Sequence, residues 1–125
     1  MIKKIEKPNI DIKFNVASFE EYYFDEETKE YFIQNKYNLS KLYFNLNGEF
    51  HRIGKPAYIS SNSIQFYEND KLHRIDGPTW TLYLSKIKYY FYINDIRYGK
   101  IEFAKKTNHL ICKNCDGFCK QQCFP

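Results

Sequence analysis

Short stretches of this chain alternate apolar and polar residues, and each ends at Asn, Asp, Gly or Pro. The clearest examples lie on either side of Asn47 and Asn69, where aromatic or aliphatic residues recur at every second position. A period of two is typical of strands, and the interrupting residues are those of tight turns. The pattern predicts a mainly β fold of stacked β-hairpins in an elongated antiparallel sheet, with a short N-terminal α or mixed segment and a small Cys-rich C-terminal module.

The chain also repeats itself. Residues 44–57 read FNLNGEFHRIGKPA and residues 66–79 read FYENDKLHRIDGPT, and we name these segments the first unit and the second unit. At a shift of 22 residues the identical pairs are Phe44/Phe66, Asn47/Asn69, His51/His73, Arg52/Arg74, Ile53/Ile75 and Pro56/Pro78. Units of this length cannot bury a face alone, so stacked neighbours are expected to share one aromatic core.

Each unit is predicted to be a hairpin followed by a strand break. The dipeptides at 47–48 and 69–70 tolerate the positive φ that a tight hairpin turn requires. The proline near the end of each unit has no amide donor and ends the ladder. The repeat-motif residues with a predicted structural role are Asn47, Gly48, His51, Arg52, Pro56, Asn69, Asp70, His73, Arg74, Asp76, Gly77 and Pro78.

The recurring His-Arg pair has two interpretations. In the structural one, Arg74 pairs with Asp76 or reaches carbonyl groups of the next turn, and His73 satisfies a buried acceptor in a turn. In the functional one, the His and Arg side chains form a row that binds phosphate or acidic groups. Gly54 stands where the second unit has Asp76, so an Arg-Asp pair cannot be common to both units.

Two weaker copies and the charge pattern suggest three segments. Residues 92–100 keep the turn at Asn94 and Asp95, shifted by 25 residues from Asn69, and lack the histidine; residues 31–39 are a more degenerate copy. The predicted segments are an N-terminal one (1–40) that packs on the repeats, the hairpin region (41–104) and a basic Cys-rich module (105–125).

Within the second unit, the stretch from Asn69 to Thr79 resembles the HRxDGPA repeats of uncharacterised proteins from bacteriophages and giant DNA viruses, which are similar to MORN-type repeats. The resemblance covers roughly residues 42–100. It implies a β-hairpin scaffold for protein interaction in a virion or in the infected host cytoplasm, with other virion proteins or a second copy as partner. It supplies neither an activity nor a catalytic residue.

The N-terminal segment contains an acidic cluster around three aromatic residues at 22–24. Ser18 and Glu21 have the spacing of a capping box, which favours a short helix, and two strands around a turn are the alternative. The cluster consists of Glu20, Glu21, Asp25, Glu26, Glu27 and Glu30.

Composition supports β structure, and charge adds a second candidate function. The chain has 125 residues, of which 12 are Tyr, 11 Phe and 1 Trp, and aromatic side chains pack well on sheets. The net charge of +4 comes from residues 97–125, where six Lys or Arg face two acidic residues. A basic end can bind nucleic acid or an acidic protein surface, or serve as a solubilising tail. A nucleic-acid-binding accessory protein is therefore the alternative function.

All four cysteines lie in one short segment with the spacing CxxCxxxCxxxC: Cys112, Cys115, Cys119 and Cys123. Thiolates are good ligands for a structural Zn²⁺ ion, and His109 is close enough to replace one of them. Disulfides are the second explanation, since four cysteines allow three pairings. Intermolecular or lipid attachment is the third, and an iron-sulfur cluster has no accompanying redox motif.

Several function classes have no support in the sequence. No apolar stretch near the N-terminus reaches the length of a signal peptide, so secretion by that route is not expected. The longest strongly apolar run, residues 89–93, is too short to span a bilayer. Phosphate-binding loops, GxSxG and HExxH motifs are missing, so a non-enzymatic protein is expected. A modulator of host defence stays open as a further role.

Overall fold

The computed structural model describes residues 1–14, 16 and 20–108, which form a mainly β protein. The predicted mainly β fold class is confirmed. In chain order the strands are β1 (Ile2–Ile5), β2 (Glu20–Asp25), β3 (Glu30–Asn35), β4 (Lys41–Phe44), β5 (Tyr58–Ile59), β6 (Ser63–Gln65), β7 (Tyr67–Glu68), β8 (Lys71–Leu72), β9 (Trp80–Tyr83), β10 (Ile87–Ile93) and β11 (Ile96–Tyr98). The helix in the described part of the chain is α1 (Lys100–Thr107).

Nine of the strands form one sheet in the order β1-β2-β3-β4-β5-β6-β9-β10-β11. All neighbours in this sheet are antiparallel, so the chain runs back and forth as a meander. The hairpin of β7 and β8 is a separate two-stranded pair inserted between β6 and β9. It contains the turn of the second unit.

The N-terminal segment contains strands where a helix was predicted. Strands β2 and β3 pair from Glu20 opposite Asn35 to Asp25 opposite Glu30, so the predicted helix is wrong for the described residues and the two-strand alternative forms. The physical reason is the run of aromatic side chains, which alternate between the two faces of a strand and pack on their cross-strand neighbours. Ser18, the predicted helix cap, lies outside the described residues.

One buried cluster lies on the face shared by β2, β3 and β4. Phe32, Tyr43 and Ala57 form its centre, with Tyr23 and Tyr67 packed against them. The ring centroids of Phe32 and Tyr43 are 5.0 Å apart, and those of Tyr23 and Phe32 are 5.3 Å apart. Aromatic pairs at this spacing stabilise a fold by about 0.5–1.5 kcal/mol beyond the area they bury. The aromatic residues are thus part of the core, as their abundance predicts.

A second buried cluster joins α1 to β10. Phe103 and Ala104 of the helix pack on Phe91 of the strand, and the Phe91 and Phe103 ring centroids are 5.0 Å apart. The helix ends at Asn108, whose φ of 60° is the left-handed conformation common after a helix. The predicted boundary between residues 104 and 105 falls inside this helix.

Two hairpins have turns of two residues with positive φ. Asn69 and Asp70 have φ of 49° and 69° in the turn between β7 and β8, and Asn94 and Asp95 have 47° and 67° in the turn between β10 and β11. Positive φ at both central residues defines a type I′ turn, whose twist matches that of the flanking strands. Asn and Asp tolerate this conformation better than other non-glycine residues.

The turn of the first unit is one residue longer. Gly48 has a φ of 75°, whereas Asn47 is not among the described residues with positive φ. Asn45 accepts a hydrogen bond from the N–H of Gly48 and donates its own N–H to the carbonyl of Glu49, both at 3.0 Å. The loop therefore has three residues, with its last residue left-handed, which is the next most common hairpin connection.

Candidate functional site

Arg74 lies between the ring of Phe66 and the loop that ends the second unit. Its guanidinium carbon is 4.0 Å from the ring centroid. Its Nε donates to the Asp76 carboxylate at 2.7 Å, and its Nη1 donates to the carbonyl oxygen of Pro78 at 3.0 Å. The pairing of Arg74 with Asp76 is the one that the structural interpretation predicts. Together these contacts tie the strand before the turn to the loop after it.

Arg52 makes the matching contacts in the first unit but uses a different acid. Its guanidinium carbon is 3.8 Å from the ring centroid of Tyr43, and its Nη1 donates to the carbonyl oxygen of Pro56 at 3.4 Å. Since Gly54 has no carboxylate, Nε donates instead to Glu30 of β3, at 3.0 Å. The sequence analysis placed Glu30 only in the acidic cluster, because no motif spacing links it to Arg52.

The ring under each arginine corrects the alignment of the two units. Phe44 aligns with Phe66 in the sequence, yet Tyr43 takes the place of Phe66 in the structure. The N–H of Tyr43 donates to Ala57 at 2.6 Å, and that of Phe66 donates to Thr79 at 2.9 Å. The extra residue in the first turn shifts the preceding strand by one position, which a gap-free comparison cannot detect.

The two histidines hold the next turn along the chain. The Nδ1 atom of His51 accepts from the N–H of Asn69 at 2.9 Å, and Nδ1 of His73 accepts from the N–H of Asn94 at 3.2 Å. The Nε2 atom of His73 is 3.5 Å from the carboxylate of Glu68. Each histidine thus accepts a hydrogen bond from a turn amide, whereas the sequence analysis expected it to satisfy an acceptor.

An aspartate of each type I′ turn binds the preceding hairpin. Asp70 donates its N–H to the carbonyl of Phe50 at 2.8 Å and accepts the Phe50 N–H on Oδ1 at 3.3 Å. Asp95 does the same with Leu72, at 2.9 and 2.7 Å. Both main-chain groups of one residue are therefore satisfied by a single aspartate. From the sequence, Asp70 is predicted only as a turn residue, and this second role is not predicted.

Two of the predicted motif glycines leave room for a neighbour. A Cβ atom on Gly48 would lie 1.9 Å from the carbonyl oxygen of Asp11, because the N-terminal segment crosses this turn and Lys13 donates its N–H to the Gly48 carbonyl at 3.1 Å. A Cβ atom on Gly77 would lie 2.7 Å from the guanidinium carbon of Arg74. Gly48 is thus required by backbone contact, whereas at Gly77 a Cβ atom would displace the end of the Arg74 side chain.

Two clefts open beside the arginines, with volumes of about 650 and 450 Å³. The isoleucine after each His-Arg pair is exposed at a cleft: Ile53 is 73% and Ile75 56% exposed. The larger cleft is lined by Thr28, Lys29, Glu30, Tyr31, Phe44, Asn45, Leu46, His51, Arg52, Ile53 and Lys55. Three Lys or Arg side chains in this lining face one carboxylate, so the cleft is basic with apolar positions.

Burial raises the pKa of two tyrosines in the first core cluster above the ordinary value of 10.0. For Tyr43 the nearby charge of Arg52 opposes this effect, and for Tyr67 the carboxylates of Asp95 and Asp70 add to it. Both phenols therefore stay protonated near neutral pH, which suits a role in packing.

The predicted metal ligands Cys112, Cys115, Cys119 and Cys123, together with His109, lie outside the described residues. Within residues 1–14, 16 and 20–108 no group of three or more His, Cys, Asp or Glu side chains is placed to hold a metal ion. The zinc, disulfide and lipid explanations of the cysteines all stay predictions.

The basic end begins within the described residues. Lys105 and Lys106 are exposed in the last turn of α1, and Lys106 lies 5.5 Å from the ring centroid of Tyr98. The guanidinium carbon of Arg97 lies 4.9 Å from the ring centroid of Tyr90. These cations border the stretch that continues to the cysteines.

The described helix is too short and too polar to cross a membrane. No protein-family model, curated protein or solved structure matches the chain. The resemblance to HRxDGPA repeat proteins therefore stays a prediction.

Proposed function

We propose that the protein is a non-enzymatic scaffold of stacked β-hairpin repeats that binds a protein partner, in a virion or in the cytoplasm of an infected cell. The viral setting follows from the resemblance of the second unit to phage and giant-virus repeats. The stacking is supported by the matching contacts of arginine and histidine in the two units, and by those of the turn aspartates Asp70 and Asp95.

The observation that carries the proposal is that the His and Arg of each HRI triplet make internal contacts, whereas the Ile is exposed. The His and Arg side chains of both units bind their own chain, at 2.7–3.4 Å. The third residue, Ile53 or Ile75, is exposed to solvent at a cleft. Two large aliphatic side chains are thus exposed at matching positions, and protein partners bury exposed apolar side chains of this kind.

The charges around this surface indicate the chemistry of the partner. Lys29, Lys55 and Arg52 outnumber Glu30 in the larger cleft, and Arg52 and Glu30 neutralise each other at 3.0 Å. The two lysines remain to attract carboxylates. We therefore expect the partner segment to carry acidic residues next to apolar ones.

A comparison of variants in the natural producing cell tests the proposal. Tagged full-length protein and the double variant Ile53→Ser/Ile75→Ser are purified from that cell, and bound proteins are compared. A matched control is Tyr37→Ser/Leu39→Ser, which changes two apolar residues that are also exposed, at 75% and 64%. The partner is expected with the unaltered protein and the control, and at least about tenfold depleted with the isoleucine variant, since hot-spot residues lose about 1–2 kcal/mol or more.

Two results contradict the proposal. One is the absence of any protein that distinguishes the unaltered chain from the isoleucine variant. The other is equal loss with the control pair, which would indicate non-specific apolar adsorption. Circular dichroism of each variant shows that the sheet is retained.

The exposed lysines at the end of α1 favour a second candidate, a nucleic-acid-binding accessory protein. Binding to single-stranded and duplex nucleic acid is measured against salt concentration. A steep salt dependence that disappears on removal of residues 105–125 supports this candidate, and no binding at moderate salt excludes it. Elemental analysis for zinc beside a free-thiol count then separates a Zn²⁺ site from disulfides in the same segment.

A further inference from the structure

The hairpins are joined by a docking arrangement that occurs twice. In each case an aspartate at the second position of a type I′ turn binds both main-chain groups of one residue in the preceding hairpin: Asp70 binds Phe50, and Asp95 binds Leu72. The four hydrogen bonds measure 2.7–3.3 Å. Phe50 and Leu72 have different side chains. The residue that the aspartate binds therefore needs only an outward-facing N–H and C=O.

Arg97 occupies the same place in the last hairpin. Leu72 lies opposite Tyr67, two residues after the turn, and Arg97 lies opposite Tyr92, also two residues after the turn. Residues next to a two-residue turn exchange hydrogen bonds, and the following residue of an antiparallel strand faces away from its partner. The N–H and C=O of Arg97 therefore face away from β10, at the edge of the nine-stranded sheet.

This edge is accessible within the described part of the chain. Ile96 is 59% exposed and Arg97 is exposed, and no turn among the described residues docks on Arg97 as Asp95 docks on Leu72. Unpaired groups at a sheet edge are a template for another chain.

We propose that the main chain of Arg97 is a docking site for a hairpin turn of another protein, with an aspartate at the second turn position. The proposal rests on the proposed protein-binding function and names one surface for it. The guanidinium of Arg97 packs on the ring of Tyr90 in β10, 4.9 Å from its centroid, so the docking is expected to use the main-chain groups of Arg97. Tyr98 stands where the earlier units have histidine, so the two aspartate hydrogen bonds carry the docking.

The partner is a different protein rather than a second copy. Both type I′ turns among the described residues, at 69–70 and 94–95, already bind their own chain. A second copy would have to release one of these turns first. A turn that is free before binding avoids this cost.

The probe for this site is a cyclised hairpin peptide with the sequence of residues 66–73, FYENDKLH, titrated into isotope-labelled full-length protein. Amide resonances of residues 96–98 are expected to shift, and hydrogen exchange at Arg97 is expected to slow. The same peptide with Asp70→Ala is expected to bind roughly tenfold more weakly, because it loses a hydrogen bond to a charged group.

Two protein variants separate main-chain docking from charge. Arg97→Pro removes the outward N–H, and a proline at this edge position leaves the β10–β11 ladder intact. Arg97→Ala keeps the N–H and removes the guanidinium. Peptide binding is expected to be lost with Arg97→Pro and retained with Arg97→Ala.

The proposal is overturned if the unaltered protein shows no shifts at 96–98, or if the Asp70→Ala peptide binds equally well. It is also overturned if Arg97→Pro binds the peptide normally, or if the Arg97 amide is already protected from exchange in the free protein. The peptide comparison uses the unaltered protein, so it holds even where a variant fails to fold. None of these results affects partner binding at Ile53 and Ile75, which is measured separately.

Discussion

The imidazole of His51 accepts a hydrogen bond from the main-chain N–H of Asn69, a residue in the next turn along the chain. His73 repeats this contact with Asn94. In both cases the accepting atom is Nδ1, which lies close to the Cβ atom. A substituted side chain can therefore keep an acceptor atom at the position of Nδ1 or move it away.

Asparagine places a carbonyl oxygen near the position of Nδ1, whereas glutamine places it one bond further out. We expect His73→Asn to stay close to the unaltered protein in unfolding free energy. His73→Gln is expected to lose about 1 kcal/mol, the net contribution of one hydrogen bond. Urea unfolding followed by circular dichroism measures the difference. Equal destabilisation by both substitutions would show that packing of the ring, and not the Nδ1 contact, matters.

The carboxylates that pair with Arg52 and Arg74 differ in burial. Removing each of them is therefore expected to lower the unfolding free energy by a different amount. The side chain of Glu30 is 24% exposed beside Arg52, and that of Asp76 is 70% exposed beside Arg74. Glu30→Ala is expected to lower the unfolding free energy by about 1–2 kcal/mol, between the values for exposed and buried pairs. Asp76→Ala is expected to cost less than about 1 kcal/mol. A larger effect at Asp76 than at Glu30, measured by thermal unfolding, would contradict the burial argument.

Alanine substitutions at Gly48 and Gly54 distinguish the cost of backbone strain from the cost of a steric clash. Their φ angles are 75° and 74°, but a Cβ atom on Gly54 meets nothing within 4 Å. Gly54→Ala is expected to cost about 1–2 kcal/mol, from the left-handed conformation alone. Gly48→Ala adds a clash with the main chain of Asp11, so we expect a further 1–3 kcal/mol, roughly the cost of overpacking. Similar melting temperatures for the two variants would mean that the N-terminal segment moves aside freely.

Because the tyrosines of the first core cluster are buried, we expect the unfolding free energy to decrease at alkaline pH. Burial raises the pKa of Tyr43 in the folded state, so the folded protein holds the phenol proton more tightly than the unfolded chain does. This contribution is complete below the ordinary tyrosine pKa and is lost as pH rises through the folded value.

The unfolding free energy is therefore expected to fall as the pH rises above about 10, the ordinary pKa of a phenol. Tyr43→Phe keeps the ring under Arg52 and removes the ionisable group, so its decline over this range is expected to be shallower. Urea unfolding at several pH values gives both slopes. A decline of the same steepness in Tyr43→Phe would assign the alkaline effect to other groups.

Local features of the fold follow directly from the sequence. Asn69 and Asp70 predict their turn because few other residues adopt positive φ, and Arg74 with Asp76 can be paired because they are two residues apart. Glu30 could not be matched to Arg52, because that contact depends on β3 lying beside β4. The contact of Gly48 with Asp11 is hidden for the same reason, as it depends on where the N-terminal segment crosses the sheet.

The sequence predicts only part of the proposed binding site at Ile53 and Ile75. The HRI triplet marks a repeated position, and the structure contains the Arg74–Asp76 pair. The histidines accept hydrogen bonds from turn amides, although the sequence predicts that they satisfy an acceptor. The exposure of Ile53 and Ile75 could not be predicted. Alternation in a strand would place either the isoleucine or the arginine before it on the inner face. Both residues lie after the strand has ended, where alternation no longer applies.

The strand order of the main sheet has a consequence for how the chain folds. Apart from the inserted hairpin of β7 and β8, each strand pairs with the next one along the chain. Contacts therefore join residues that are close in sequence, and the relative contact order is low for a β protein. Low contact order favours fast folding, since little loop-closure entropy is lost before native contacts form. We expect folding to begin at any one hairpin and to spread by addition of its neighbours.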